Sequence, residues 1–259
     1  MTGGDALSTD FDQAVEAWER GATEVCLQGG IHLVLEVETE RAVEIGTNPH
    51  VTRVPRELTD VIDVIGDAIE VLFNAPSDQP DYATRAVACA RELDAWGEAF
   101  RERWKARGVN FGATRIGVHA GPALVGNFGG GRFFDYTAYG DTINTAARLE
   151  AANKFLGTRI CVSATIANAV ENFRGRPVGD LMLRGRSEPL RAYEPLSAAS
   201  FGAPATSQYG EAFAKLEAGD GNAMPAFAAL VGSHAEDPLA NFHLKRLLNG
   251  AKGVRMQLE

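Results

Sequence analysis

Hydrophobic positions follow two periods along this chain, one typical of helices and one typical of strands. Residues 81–106 keep apolar side chains on one helical stripe, and a basic residue and a glycine close the run. Short β-friendly runs occur at residues 31–37, 114–119 and 159–163. Strands that alternate with helices in this way predict an α/β fold.

A β-hairpin is predicted over residues 63–76. Two apolar runs flank Gly66 and Asp67, and Gly-Asp is a known two-residue hairpin turn. On the residues alone, Asp67 is either a turn residue or a carboxylate ligand at a rigid tip.

The most informative stretch covers residues 114–154. A strand and several glycine-rich turn signals lead to a second extended piece, and a helix then opens with Asp141 as its predicted N-cap. Asn144 and Arg148 are four positions apart, so they project from one face of that helix, and Thr137 lies just before the turn that feeds it. A hydroxyl, an amide and a guanidinium that converge on one cleft suit a nucleotide. An isolated pair at this spacing also occurs on a solvated helix face, so the pair alone leaves both interpretations open.

A longer pattern favours the nucleotide. Residues 135–150 read D-Y-T-x-x-G-D-T-x-N-x-A-A-R-L-E, which resembles the signature of the class III adenylate/guanylate cyclase catalytic domain. Residues 115–129 resemble the family segment that leads into it. The resemblance implies that Thr137 reads the purine base, Asn144 orients the ribose and Arg148 stabilises the pentavalent phosphate.

The hairpin at residues 63–76 is similar to a second segment of the family. This resemblance implies that Asp67 binds a divalent metal, Mg²⁺ or Mn²⁺, because such hard ions prefer carboxylate oxygens. Asp63 stands where the family has a base-recognising lysine; its carboxylate can accept a hydrogen bond from the adenine amino group but repels N1. Further on, Arg184 and Arg186 flank the place where the family often keeps a cation for the triphosphate tail.

The resemblance implies a ferredoxin-like βαββαβ nucleotide cyclase core over residues 61–197 that dimerises head to tail. Residues 1–60 form an atypical N-terminal segment, in which we find no strand carrying the family's first metal aspartate. Residues 198–208 are small and polar and predict a linker. Residues 209–259 predict a helical-repeat-like extension that packs on the cyclase domain or on a partner.

Composition narrows the class of protein further. The chain has 259 residues and a formal net charge of −9, so it lacks the basic surface that a nucleic acid requires. No apolar run is long enough for a bilayer, and the first residues do not resemble a signal peptide. Three scattered cysteines share no metal spacing. We therefore expect a cytoplasmic protein without a membrane span.

The resemblance implies an adenylate cyclase that converts ATP to 3′,5′-cyclic AMP and pyrophosphate by two-metal catalysis at a dimer interface. In such dimers the metal aspartates come from one subunit and the other site residues from its partner. The alternative is a degenerate cyclase that binds a nucleotide, or pairs with an intact cyclase chain as a heterodimer, in a regulatory role. The missing first aspartate and Asp63 support that alternative.

Overall fold

The computed structural model describes residues 30–35, 61–65, 68–75, 78–130 and 133–258. These residues form ten strands and seven helices. The strands are β1 (Gly30–Leu35), β2 (Val61–Ile65), β3 (Ala68–Phe73), β4 (Arg115–Ala120), β5 (Leu124–Gly130), β6 (Phe133–Tyr139), β7 (Ile160–Ser163), β8 (Gly175–Met182), β9 (Leu190–Pro195) and β10 (Arg255–Gln257). The helices are α1 (Tyr82–Lys105), α2 (Asp141–Leu156), α3 (Ala164–Ala169), α4 (Ala198–Phe201), α5 (Pro204–Glu217), α6 (Ala223–Ser233) and α7 (Pro238–Leu248).

Eight strands form one mixed sheet in the order β10-β8-β9-β7-β4-β1-β3-β2. The predicted α/β class is confirmed. The hairpin β2–β3, α1 and β4 lie within the predicted core of residues 61–197, whereas β1 belongs to the segment 1–60 that was predicted to be atypical and nevertheless pairs inside the same sheet. Strand β1 runs parallel to both of its neighbours, β3 and β4. The residues between β1 and β2, and the turn of the hairpin with Asp67, lie outside the described residues.

Strands β5 and β6 form a separate two-stranded antiparallel sheet that leads directly into α2. Helix α2 lies against β4 at very short range. A Cβ atom on Gly117 of β4 would come 2.0 Å from the carbonyl oxygen of Ala146, so only glycine permits this approach. The buried amide of Asn153 then donates to the carbonyl oxygen of Ile116 at 3.0 Å. These contacts fix α2, and therefore its side chains, relative to the sheet.

The C-terminal helices share one hydrophobic core with the eight-stranded sheet and α2. Leu149 of α2 and Leu181 of β8 pack in the same cluster as Tyr209, Phe227 and Leu239 from α5, α6 and α7. Strand β10 adds to the sheet beside β8, in parallel. The extension therefore packs on the sheet of this chain, which is one of the two arrangements that the sequence leaves open.

The segment between sheet and extension is largely helical. Residues 198–208, predicted as a linker, contain α4 and the start of α5. Pro204 is the first residue of α5, where its fixed φ and missing N–H are tolerated. Among the described residues, no helix combines the length and the apolar character that crossing a membrane requires.

Candidate nucleotide site

The candidate site begins where β6 passes into α2. Thr137 lies on β6 opposite Gly126 of β5, with its side chain half-buried. Two residues later β6 ends, and α2 starts after one intervening residue. Sequence reasoning placed Thr137 just before this helix, and the structure agrees.

Asn144 and Arg148 lie one turn apart on α2, as their spacing predicts. The Asn144 side chain is exposed, and its amide Nδ2 donates to the carbonyl oxygen of Gly140 at 3.3 Å. The Arg148 side chain is 31% exposed, and its guanidinium lies 3.4 Å from a carboxylate oxygen of Asp141. Both side chains therefore remain accessible to a ligand at the start of the helix.

Asp141 does not cap α2, and that prediction is wrong. It is the first residue of the helix, and its carboxylate accepts no backbone N–H at this end. One oxygen instead lies near Arg148, and the other accepts hydrogen bonds from Arg186 at 3.1 Å and from Thr145 at 3.3 Å. Two guanidinium groups compete successfully for the carboxylate because charge-assisted hydrogen bonds are stronger than neutral ones.

The loop between β8 and β9 supplies the second arginine. Gly185 has a φ of +80°, which L-residues rarely adopt, and a Cβ atom there would lie 3.5 Å from the Arg148 guanidinium. This turn brings Arg186 to Asp141, whereas Arg184 is exposed and has no ion-pair partner among the described residues. Of the two arginines in this loop, Arg186 joins the cluster and Arg184 does not.

A buried histidine, which sequence reasoning did not select, lies under this cluster. His119 is the last residue but one of strand β4. It has 6% of its surface exposed, and its Nδ1 has no hydrogen-bond partner among the described residues. Burial, and next the charge of Arg186, lower the pKa of His119 to about 4. The imidazole is therefore neutral at pH 7 and adds no charge to the two arginines. Its signal in the sequence is a polar residue among the apolar residues near the end of a strand.

The predicted metal half of the site falls mainly outside the described residues. Asp67 is not described, and Asp63 is placed by its backbone, in register with Glu70 of the neighbouring strand. Within the described part of the chain, no three His, Cys, Asp or Glu side chains are close enough to hold a metal ion.

Comparison with known proteins decides which family this arrangement belongs to. The sequence profile of the adenylate and guanylate cyclase catalytic domain matches residues 53–194, more than half of the chain. The chain belongs to this family. Its matched region contains Thr137, Asn144 and Arg148 together with the loop that carries Arg186.

Several known proteins are similar to this chain. Adenylate cyclase 1 of Rhizobium meliloti is 38% identical over 135 residues, which cover 52% of this chain and 20% of that protein. An uncharacterized protein of Mycobacterium tuberculosis is 34% identical over 134 residues, 51% of this chain and 22% of that protein. The solved structure of the adenylyl cyclase CyaB from P. aeruginosa is 28% identical, with a TM-score of 0.49, and the match covers 54% of this chain and 72% of that one.

The chain spans about a fifth of the length of these two curated relatives. Cyclase catalytic domains bind a nucleotide substrate and work as dimers, and class III cyclases generally use divalent metal ions. The present chain carries such a domain, followed by the helical extension.

Proposed function

We propose that this chain is an adenylate cyclase that converts ATP to 3′,5′-cyclic AMP and pyrophosphate. The observation that carries the proposal is the cluster at the start of α2, where Arg148 and Arg186 share the exposed carboxylate of Asp141 and Asn144 lies beside them. Of ATP and GTP, ATP is favoured by Thr137, which resembles the base-reading residue of one adenylate cyclase subgroup.

Arg148 and Arg186 are accessible enough, and paired weakly enough, to bind a phosphate group. Their ion pairs to Asp141 are solvent-exposed, with 60% of the Asp141 side chain accessible, so they are weak and exchangeable. A triphosphate offers more charge and more acceptor oxygens than one carboxylate, and guanidinium groups bind such oxygens in a bidentate way. In the proposed reaction, Arg148 offsets the charge that grows as the 3′-oxygen attacks the α-phosphorus and pyrophosphate leaves.

Asn144 and Thr137 take the roles of orienting groups in this proposal. The exposed Asn144 amide can donate to and accept from the ribose, and the Thr137 hydroxyl can do the same with the edge of the adenine. Asp63 would accept from the adenine amino group, and Arg184 would meet the triphosphate tail. The loss of Lys at position 63 makes base selectivity the weakest part of the site.

The metal half of the proposed site depends on Asp67. A carboxylate at a hairpin tip suits Mg²⁺ or Mn²⁺, the two ions that we propose. When bound, two such ions supply activation of the 3′-hydroxyl and a clamp on the phosphates.

The site would be completed by a second subunit. In the proposed dimer, Asp67 comes from one chain, and Thr137, Asn144 and Arg148 come from its partner, so an isologous homodimer holds two sites. Leu124 and Tyr139, on the β5–β6 hairpin next to the site, expose 49% and 58% of their surface and offer apolar area for such a contact. The reaction consumes ATP, which supports a cytoplasmic location.

One observation favours a second candidate function, a degenerate cyclase that pairs with an intact cyclase chain. Strand β1 lies between β3 and β4, and its six residues, GIHLVL, include no carboxylate that could serve as the family's first metal aspartate. The cluster around Arg148 would nevertheless remain able to complete the site of an intact partner.

The experiment that separates these functions measures cyclic-nucleotide production by the purified chain with ATP or GTP and with Mg²⁺ or Mn²⁺. Cyclic AMP that disappears in Asp67→Ala, in a variant with unchanged circular dichroism, supports the active cyclase. The degenerate function is supported by a different result, in which the chain is inactive alone. It then restores the activity of a second cyclase that keeps its metal ligands but has alanine in place of the arginine that corresponds to Arg148. An active Asp67→Ala variant contradicts the metal assignment.

A further inference from the structure

We propose that a groove far from the nucleotide site binds a small amphipathic organic anion. This basic groove lies between the end of α2, helix α7 and the edge strand β10, and its volume is about 480 Å³. It is lined by residues 154–157, by Phe242, Lys245 and Arg246 of α7, and by residues 256–258, with a few neighbours. A volume of this size lies in the range of small-ligand sites.

The floor of the basic groove is apolar. Phe155 has 43% of its surface exposed although the helix that carries it is otherwise well packed against the sheet. Leu156 and Met256 beside it are buried, and Phe242 is partly buried. A hydrocarbon chain laid over Phe155 would remove this apolar surface from water, which is favourable in proportion to the area covered.

The charged residues that line the basic groove are all cations. They are Lys154, Lys245 and Arg246, and no Asp or Glu is among the described lining residues. Lys154 and Lys245 are exposed and have no carboxylate partner in the described part of the chain. Three cations without a carboxylate partner among the described residues are a local exception in a chain whose net charge is −9, and they favour an anionic occupant.

Arg246 is the third cation of the basic groove, and one of its guanidinium nitrogens lies 3.4 Å from the neutral ring of His243. Its guanidinium donates to the carbonyl oxygens of Arg255 at 3.0 Å and Gly253 at 3.4 Å, and it lies near the ring of Phe242. All of these partners are neutral, and no carboxylate contacts it among the described residues. Burial accordingly lowers the pKa of Arg246, with no compensating charge.

A second arginine, on strand β8 of the sheet beneath the extension, provides a contrast. Arg176 lines another surface cavity, of about 420 Å³, and is held there by the carboxylates of Glu194 and Asp237. Burial opposes its charge too, but the two carboxylates outweigh burial and raise the pKa of Arg176. Arg176 therefore has two carboxylate partners, whereas the partners of Arg246 among the described residues are all neutral.

The combination of an apolar floor and a basic rim defines the ligand class. It is a carboxylate or phosphate monoester with a single hydrocarbon chain of roughly ten carbons, a size that a groove of this volume accommodates. The ligand would touch both α2, the helix of the nucleotide site, and the C-terminal extension.

Isothermal titration calorimetry tests the proposal with decanoate and decyl phosphate, below the concentrations at which they form micelles. Decanol and decyltrimethylammonium have the same chain length and serve as neutral and cationic controls. The double variant Lys154→Glu/Lys245→Glu reverses the charge of the rim. Lys105→Glu, an exposed lysine on α1, is the matched control. Arg246 is kept unchanged, because it also holds the loop before β10.

We expect one anion bound per chain, at least tenfold weaker binding of decanol and decyltrimethylammonium, and at least a tenfold loss of anion binding in the double variant. Lys105→Glu should bind as the unmodified chain does. No binding of either anion overturns the proposal. Equal binding of decanol, or anion binding that survives the double variant with an unchanged circular dichroism spectrum, also overturns it, because the rim would then have no role.

Discussion

Two clusters of arginine and carboxylate side chains differ in burial. The exposed cluster lies at the candidate nucleotide site, and the buried one has a structural role. At the nucleotide site, one carboxylate, Asp141, serves two arginines, and 60% of its side chain is exposed. Under the C-terminal extension, one arginine, Arg176, serves two carboxylates, and its side chain is only 11% exposed. The same chemical groups therefore form exchangeable contacts in one place and fixed contacts in the other.

The fixed cluster explains how the extension is attached to the catalytic sheet. Arg176 on β8 bonds to Glu194 on β9 and to Asp237 at the start of α7, and its guanidinium lies 4.7 Å from the Tyr209 ring centroid. Asp237 also caps α7 through the backbone N–H of Leu239. The buried Arg176 guanidinium thus links the sheet to the extension. Removal of one of its carboxylate partners should reduce the stability of both parts.

The largest effect is expected from Asp237→Asn. Asparagine keeps the cap of α7 but removes the negative charge opposite Arg176. Arg176 keeps Glu194 as a charged partner, but its hydrogen bonds to residue 237 lose their charge assistance in a nearly buried place, so we expect the free energy of unfolding to fall by about 2 kcal/mol. Urea denaturation at pH 7 measures it. A loss below about 1 kcal/mol would show that the buried cluster is no stronger than an exposed one.

The second prediction concerns the exchangeable cluster and its function. In Arg148→Ala, we expect the rate of cyclic AMP formation to fall by about 100-fold or more, because such a group acts on charge that develops in the transition state. The free energy of unfolding should change by less than about 1 kcal/mol, since the ion pair is exposed. Steady-state kinetics and urea denaturation measure the two quantities on the same samples.

Arg101→Ala is a matched control for Arg148→Ala. Arg101 is about as exposed as Arg148 and forms an ion pair with Glu98 on α1. The Arg101→Ala variant should keep the rate of cyclic AMP formation of the unmodified chain, and its free energy of unfolding should change little. If both variants lose activity equally, the effect of Arg148→Ala does not arise at the site, and the functional meaning of the exposed cluster is wrong.

The third prediction compares two buried histidines, one in each region. Burial, followed by a nearby arginine, lowers the pKa of His119 to about 4 and that of His243 to about 3, from an ordinary value of 6.5. The folded state then binds fewer protons than the unfolded state below pH 6.5, so stability is lost as the pH falls through that value toward the folded pKa. We expect a loss of about 2 kcal/mol per histidine between pH 7 and pH 5.

Urea denaturation at several pH values tests this assignment. His243 is packed among the rings of Tyr209, Phe213 and Phe227, so His243→Phe removes the proton site while it keeps an aromatic ring. The pH dependence should become about half as steep. His234→Gln, a change in a more exposed histidine, should leave the slope unchanged. An unchanged slope in His243→Phe would mean that this buried histidine does not titrate as inferred.

The two regions also differ in how far sequence reasoning could predict them. The spacing of Asn144 and Arg148 is a local helical signal, so their common face followed directly from the sequence. Arg186 reaches Asp141 from 45 positions away, through a turn that needs a positive φ at Gly185. A contact between residues so far apart in the chain leaves no periodic pattern in the sequence. The prediction that Asp141 caps α2 was wrong for that reason.

The extension illustrates the same limit on a larger scale. Its helices follow from amphipathic periodicity, yet the pairing of β10 with β8 joins residues more than 70 positions apart. The burial of Arg176 depends on Glu194 and Asp237, 18 and 61 positions further along the chain. Arginine is usually exposed, so only the assembled core reveals which one is buried.

The smallest effect is expected from Asp141→Asn, which makes the same chemical change as Asp237→Asn in the exposed cluster. Its two ion pairs are solvent-screened, so we expect the free energy of unfolding to change by less than about 1 kcal/mol in urea at pH 7. Added salt should reduce even this difference, whereas the larger effect of Asp237→Asn should persist, because salt screens buried pairs much less. A loss at Asp141 as large as that at Asp237 would mean that burial does not separate the two clusters, and the exposed one would then have to be regarded as part of the support.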